Sequence, residues 1–173
     1  NLFMEFDEEY QNDMDIVEKY KTLVLGMSGN YPLDKLRIID NVINENGINK
    51  NSIILMPDAN SVKKLSNEFW IELAQILLDK GYEVYTNVKK KEEKEIKNTK
   101  KISETIMKTV ALCNKAYLTI SLRSGMCDLL SLTDASVIIL NTEDYCLKEW
   151  DLKKITNREN LYNVVAYRKS EES

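Results

Sequence analysis

Short apolar runs that alternate with amphipathic stretches predict an α/β domain: a Rossmann-like, doubly wound parallel sheet with helices on both faces. Three observations carry this. The run Ser52-Ile53-Ile54-Leu55-Met56 is continuously apolar and closed by Pro57, as in a strand buried on both faces. The stretch 67–80 then places Phe69, Trp70, Leu73, Ala74, Ile76 and Leu77 at helical spacing and stops at Gly81. The same alternation recurs downstream, and right-handed crossovers turn such repeats into a doubly wound sheet.

The elements follow in order. Residues 82–86 read as a second strand, 103–113 as a helix carrying Ile106, Met107, Val110 and Ala111, and 116–121 as a third strand. Residues 126–132 form a short helix, 136–140 a fourth strand, 150–155 a helix and 162–166 a fifth strand. Before residue 51 the pattern differs. An acidic start (residues 7–15) precedes helical spacing over 16–27 and again over 34–45, so 1–50 is expected to be a helical extension or linker. The Rossmann-like domain is then 51–168, and 169–173 a disordered tail.

Composition narrows the function classes. With 43% hydrophobic residues, 173 residues can bury a core of one domain. Lys and Arg number 24 against 28 Asp and Glu, a net charge of −4, which argues against a general nucleic-acid binder. No stretch reaches the roughly 20 apolar residues that cross a bilayer. Histidine is absent, which excludes Ser-His-Asp and Cys-His nucleophile systems and most catalytic zinc sites. Cys113, Cys127 and Cys146 lack CxxC spacing and read as buried thiols in a reducing, cytosolic setting. The chain begins at Asn1 rather than Met, so it is expected to be a piece of something longer or a processed form.

In doubly wound sheets the ligand lies outside the carboxyl ends of the strands. The loops to inspect are therefore 57–66, 87–102, 122–126 and 141–149. The third reads Leu122-Arg123-Ser124-Gly125-Met126-Cys127-Asp128, a strand running through a glycine turn into a helix. Such a turn can receive an anion on exposed N–H groups, with Arg123 as a fork for phosphate oxygens and Ser124 as a donor. It is equally a plain Ser-capped helix start with a solvent-facing Arg. The first loop carries Asn60, Ser61, Lys63 and Lys64 but no Gly-rich cradle. Neither GxxxxGK[ST] nor GxGxxG occurs in the chain, so P-loop hydrolysis and ordinary dinucleotide binding are not supported. Ser66 reads as a helix cap and Lys64 as solvated. Asn87 stands at the end of the second strand, where doubly wound folds hold ribose or base. The mixed-sign run Lys89-Lys90-Lys91-Glu92-Glu93 after it reads as a solvated loop. Asp58, Asp128, Glu143 and Asp144 are the carboxylates available for base work, and no two form an evident pair. Phe69 and Trp70 read as core, and Tyr145 can stack on a base.

Taken together, these loops resemble the carboxyl-terminal half of a two-domain, GT-B-type glycosyltransferase, nearest the heptosyltransferase-like family 9 group. The likeness spans about residues 51 to 141. It rests on Pro57-Asp58-Ala59-Asn60-Ser61-Val62-Lys63-Lys64-Leu65, on Glu68-Phe69-Trp70 with Leu73-Ala74, on Gly81-Tyr82-Glu83-Val84-Tyr85-Thr86-Asn87, and on the segment from Leu122 to Leu130. The resemblance implies that Asn60, Ser61 and Lys63 contact a nucleotide diphosphate, and that Arg123, Ser124 and Gly125 grip the same group. The family pattern in that turn is acidic residue, Ser or Thr, Gly, two residues, His. Here Arg123 holds the acidic position and Asp128 the His position, which leaves the donor sugar open.

The implied function is the donor half of an enzyme that transfers a hexosyl or heptosyl group to a cell-surface or lipopolysaccharide-type glycan. The expected binding set is Asn60, Ser61, Lys63, Asn87, Arg123, Ser124, Gly125 and Asp128. The catalytic residue is unknown, because in this family it usually comes from the amino-terminal acceptor domain. No metal or other cofactor is expected, since cations and helix N–H groups take the metal's role. The implied partners are a nucleotide-sugar donor and, through the missing domain, a glycan acceptor. The setting is cytoplasmic, at the inner face of the membrane, with peripheral membrane contact reserved for the full-length protein. The alternative is a non-catalytic module that binds a phosphate ligand or a protein.

Overall fold

Strand β1 (Ser52–Met56) is buried at all five positions, as its unbroken apolar run requires of a central strand. The computed structural model describes residues 47–143, 151–156 and 158–166. The extension expected over 1–50 falls almost wholly outside these residues. So do the 169–173 tail, Asp144, Tyr145 and Cys146.

After β1 come α1 (Asn67–Asp79), β2 (Glu83–Asn87), β3 (Lys100–Ile102), α2 (Ile106–Lys115), β4 (Leu118–Leu122), α3 (Gly125–Ser131), β5 (Val137–Asn141), α4 (Leu152–Thr156) and β6 (Leu161–Val165). The strands form one sheet in the order β3-β2-β1-β4-β5-β6, and each neighbouring pair is parallel. This is the Rossmann order, two halves wound outward from β1 and β4.

Five of the six strands lie within two residues of their expected positions. Strand β3 is the addition. It has three residues, two of them lysines, and period-2 alternation cannot be read in so short a run. Helix α2 starts later than residue 103 because Thr105 is its cap and accepts a hydrogen bond from the Lys108 N–H. Ser66 caps α1 as expected, accepting from the Phe69 N–H at 3.2 Å.

The pleat sorts the core into two layers. Ile54, Met56, Tyr85, Val137 and Ile139 face α2, α3 and α4 through Val110, Leu112, Cys113, Cys127, Leu130 and Leu152. Ile53, Leu55, Val84, Ile120 and Leu122 face the other way, onto Trp70 and Ala74 of α1. Trp70 is thus core, as its helical spacing predicts, whereas Phe69, read as core with it, lies at the edge of the buried stripe and is 37% exposed. Each large apolar side chain buried this way contributes roughly 1.5–3 kcal/mol. Among the described residues no helix is long and apolar enough to cross a membrane.

Candidate functional site

The strand order reverses between β1 and β4, so the loops leaving these strands diverge to opposite faces and open a crevice. A cleft of about 450 Å³ lies there. The β1 loop lines it with Asp58, Asn60 and Ser61, and the β4 turn with Ser124, Gly125 and Met126. The end of β2 adds Asn87, Val88 and Lys89, and the start of α2 adds Glu104, Ile106 and Thr109. Five of the eight residues expected from sequence therefore meet in one cleft: Asn60, Ser61, Asn87, Ser124 and Gly125.

The β1 loop is held from both sides. Thr142 Oγ1 donates to the Lys63 carbonyl at 2.7 Å, and the Lys63 N–H donates to Glu143 Oε1 at 3.3 Å. Lys63 thus acts through its backbone, tying the loop to the end of β5, and its side chain does not line the cleft. Lys64 donates to Asp58 Oδ1 at 2.6 Å, and that hydrogen bond and charge raise the Lys64 pKa above its ordinary value. On the other flank Lys89 Nζ donates to Asn60 Oδ1 at 2.8 Å.

Lys89 is a cleft-lining residue that sequence reasoning missed. Its place in a mixed-sign run concealed it. The available signal was position: it stands two residues beyond β2, at the carboxyl edge. Its own N–H is held by Glu93 Oε2 at 2.9 Å, which fixes the backbone of the turn. Among the described residues its ammonium makes no ion pair. Asn87 Oδ1 is buried and, among the described residues, has no hydrogen-bond partner, so it is an acceptor at the cleft wall. Glu104, a second carboxylate there, lies 3.4 Å from the exposed Lys108 ammonium.

The β4 turn is built differently from the expected phosphate fork. Arg123 is only 8% exposed. Its Nη1 and Nη2 donate to the two oxygens of Asp128 at 3.0 Å each, and Nη1 also donates to the Ser124 carbonyl at 2.8 Å. The bidentate geometry that suits a phosphate is thus engaged by a carboxylate five residues on. Neither Arg123 nor Asp128 lines the cleft. Ser124 is the N-cap residue of α3, as the sequence also allowed, and is extended (φ −155°, ψ 170°), but its side chain makes no capping bond. Nothing lies within 4 Å of the point where a Cβ on Gly125 would sit, so the backbone there is open to close approach. Beneath the turn, Cys127 is buried, its Sγ 3.3 Å from the Leu122 carbonyl, and burial pushes its thiol pKa up. Cys113, equally buried, is pushed up to about 12.

The cleft therefore presents the Lys89 ammonium, neutral hydrogen-bonding groups, apolar surface from Met56 and Ala59, and two carboxylates, Asp58 and Glu104, each offset by a lysine outside the lining, Lys64 and Lys108. Such a set suits an anionic ligand with a flat or aliphatic portion. Among the described residues no group of three or more His, Cys, Asp or Glu is placed to hold a metal ion.

Fold and cleft define a class: an α/β domain of Rossmann-like strand order with an open switch-point crevice. No protein-family model matches the chain, and neither the curated proteins nor the solved structures include a significant match.

Proposed function

We propose that the switch-point cleft binds the diphosphate and nucleoside of a nucleotide sugar, and that the chain is the donor-binding half of a glycosyltransferase acting on a cell-envelope glycan. The observation that supports ligand binding is the convergence of Asn60, Ser61, Lys89, Ser124 and Gly125 from three separate strand ends on one cleft. The sugar-transfer part rests on the resemblance of residues 51–141. In this reading Lys89, together with hydroxyl and backbone donors, stabilises the departing diphosphate, and a carboxylate of the acceptor domain deprotonates the acceptor hydroxyl. The Arg123–Asp128 pair favours a second reading, a non-catalytic phosphate-ligand module. Arg123, the cation expected to grip the diphosphate at a position where the family pattern has an acid, is here engaged inside the fold.

Isothermal titration with UDP, GDP and ADP, beside the three monophosphates, tests the binding. The expected result is saturable binding of one diphosphate, tighter than its monophosphate. No binding of any nucleotide by the folded chain would overturn the reading for this domain. Transfer assays with the full-length gene product then separate the catalytic from the non-catalytic form.

A further inference from the structure

The two edges of the sheet are built to opposite rules. Strand β3, at one end, has three residues and carries Lys100 and Lys101. Lys100 pairs with Glu83 at 2.8 Å and lies 5.3 Å from the centre of the Tyr85 ring, and Lys101 pairs with Glu95 at 3.2 Å. Shortness and edge lysines discourage another strand from adding there. Strand β6, at the other end, is Leu161-Tyr162-Asn163-Val164-Val165: five residues without charge, Pro or Gly. Among the described residues it is paired on one side only. Tyr162, Val164 and Val165 are 51%, 42% and 47% exposed.

The backbone parity of β6 follows from its ladder. The Ala166 N–H donates to the Asn141 carbonyl, and the Asn160 carbonyl accepts from Val137, so the even-numbered residues face β5. Backbone groups alternate sides along a strand, so the N–H and C=O groups of Leu161, Asn163 and Val165 face outward. Three outward residues spaced by two are self-complementary about their middle member. In an antiparallel pair centred there, Asn163 meets Asn163 and Leu161 meets Val165. All three become hydrogen-bonded pairs that exchange both N–H···O bonds. The same register sets each exposed Tyr162 against an exposed Val164, an aromatic–β-branched pair of the kind that stabilises sheets. No charge in β6 opposes its own copy.

We propose that a second copy of this chain adds to β6, antiparallel and two-fold about Asn163, joining two six-stranded sheets into one. The interface is isologous, so it closes at the dimer. It is independent of the cleft, which lies at the switch point between β1 and β4.

Sedimentation velocity over roughly 1–500 μM, a range suited to a small interface, tests the proposal together with amide exchange at both ends of that range. The mass is expected to rise from one chain toward two. The N–H groups of Leu161, Asn163 and Val165 gain protection with concentration, while those of Tyr162 and Val164 are protected throughout. Val164→Lys sets an ammonium against the Lys153 that lies over the Tyr162 ring of the opposite copy. Val165→Pro removes an outward N–H and leaves the β5 ladder intact. Both variants are expected to stay monomeric, with Tyr162 protection reporting that β6 is still folded. A monomer at every concentration, with the three outward N–H groups exchanging as an open edge, overturns the proposal. So does a dimer that both variants leave unchanged.

Discussion

Arg123 and Lys89 stand at the carboxyl edge of the same sheet and do opposite work. Arg123 leaves β4 with a rigid fork already filled: both prongs rest on Asp128, and the side chain is almost buried. Lys89 leaves β2 exposed, donates from its ammonium to the neutral Asn60 and, among the described residues, to no carboxylate, and lines the cleft. A buried guanidinium has to be paired, because desolvating it without a counter-charge costs several kcal/mol. An ammonium at a solvated rim carries no such requirement and stays available to an incoming anion. The contrast shows that the residue best shaped for phosphate is not the one available to it.

The largest effect expected concerns how closed the β4 turn is. Burial pushes the Cys113 thiol up to about 12, so far less of it is thiolate at neutral pH than of an exposed thiol. Cys127 under the turn is shifted the same way by burial. Iodoacetamide labelling of the native chain, mapped by mass spectrometry, should leave both unmodified, and denaturant should expose both. Rapid native labelling of Cys127 would mean that the turn opens and that the Arg123–Asp128 pair is not a fixed part of the fold.

Next in size is ligand affinity. Lys89→Ala should weaken binding of the selected nucleoside diphosphate by about 1.5–3 kcal/mol, more than tenfold in Kd, through loss of a charge-assisted hydrogen bond. Its unfolding free energy should move by no more than about 0.5 kcal/mol. An unchanged Kd would remove Lys89 from the site.

The smallest effect falls on stability. Asp128→Ala strands the Arg123 guanidinium and should cost about 1–2 kcal/mol in denaturant unfolding. That is below the figure for a fully buried pair, because the Asp128 side chain is 49% exposed. Asp128→Asn, which retains one acceptor, should cost less. If Asp128→Ala instead left stability intact and abolished binding, the roles assigned to the two cations would be reversed.

Most of the fold was legible in the sequence, and the residues show why. Ile53 to Met56, and Trp70 with Ala74, declare strand and helix through their own spacing. Strand β3 was hidden because Lys100, Lys101 and Ile102 offer too short a period to read. The candidate site was legible by position and less so by chemistry. Asn60, Ser61, Asn87, Ser124 and Gly125 were named from the rule that ligands sit beyond strand ends, and they do line one cleft. Lys63 and Arg123 were named for their charge. The structure uses the backbone of Lys63 as a tie to β5 and the side chain of Arg123 as a tie to Asp128.

What the sequence alone determined is the set of elements, hence the α/β class, because the apolar period that drives each element is local to its own few residues. Only the tertiary structure decided which strand ends meet and which cation is left facing solvent. Those outcomes depend on partners far along the chain, such as Lys89 with Asn60 across 29 residues and Thr142 with Lys63 across 79. A hydrogen-bond donor carries no mark in the sequence of the acceptor it will find. The choice is made when the sheet brings the loops together and burial makes an unpaired charge costly.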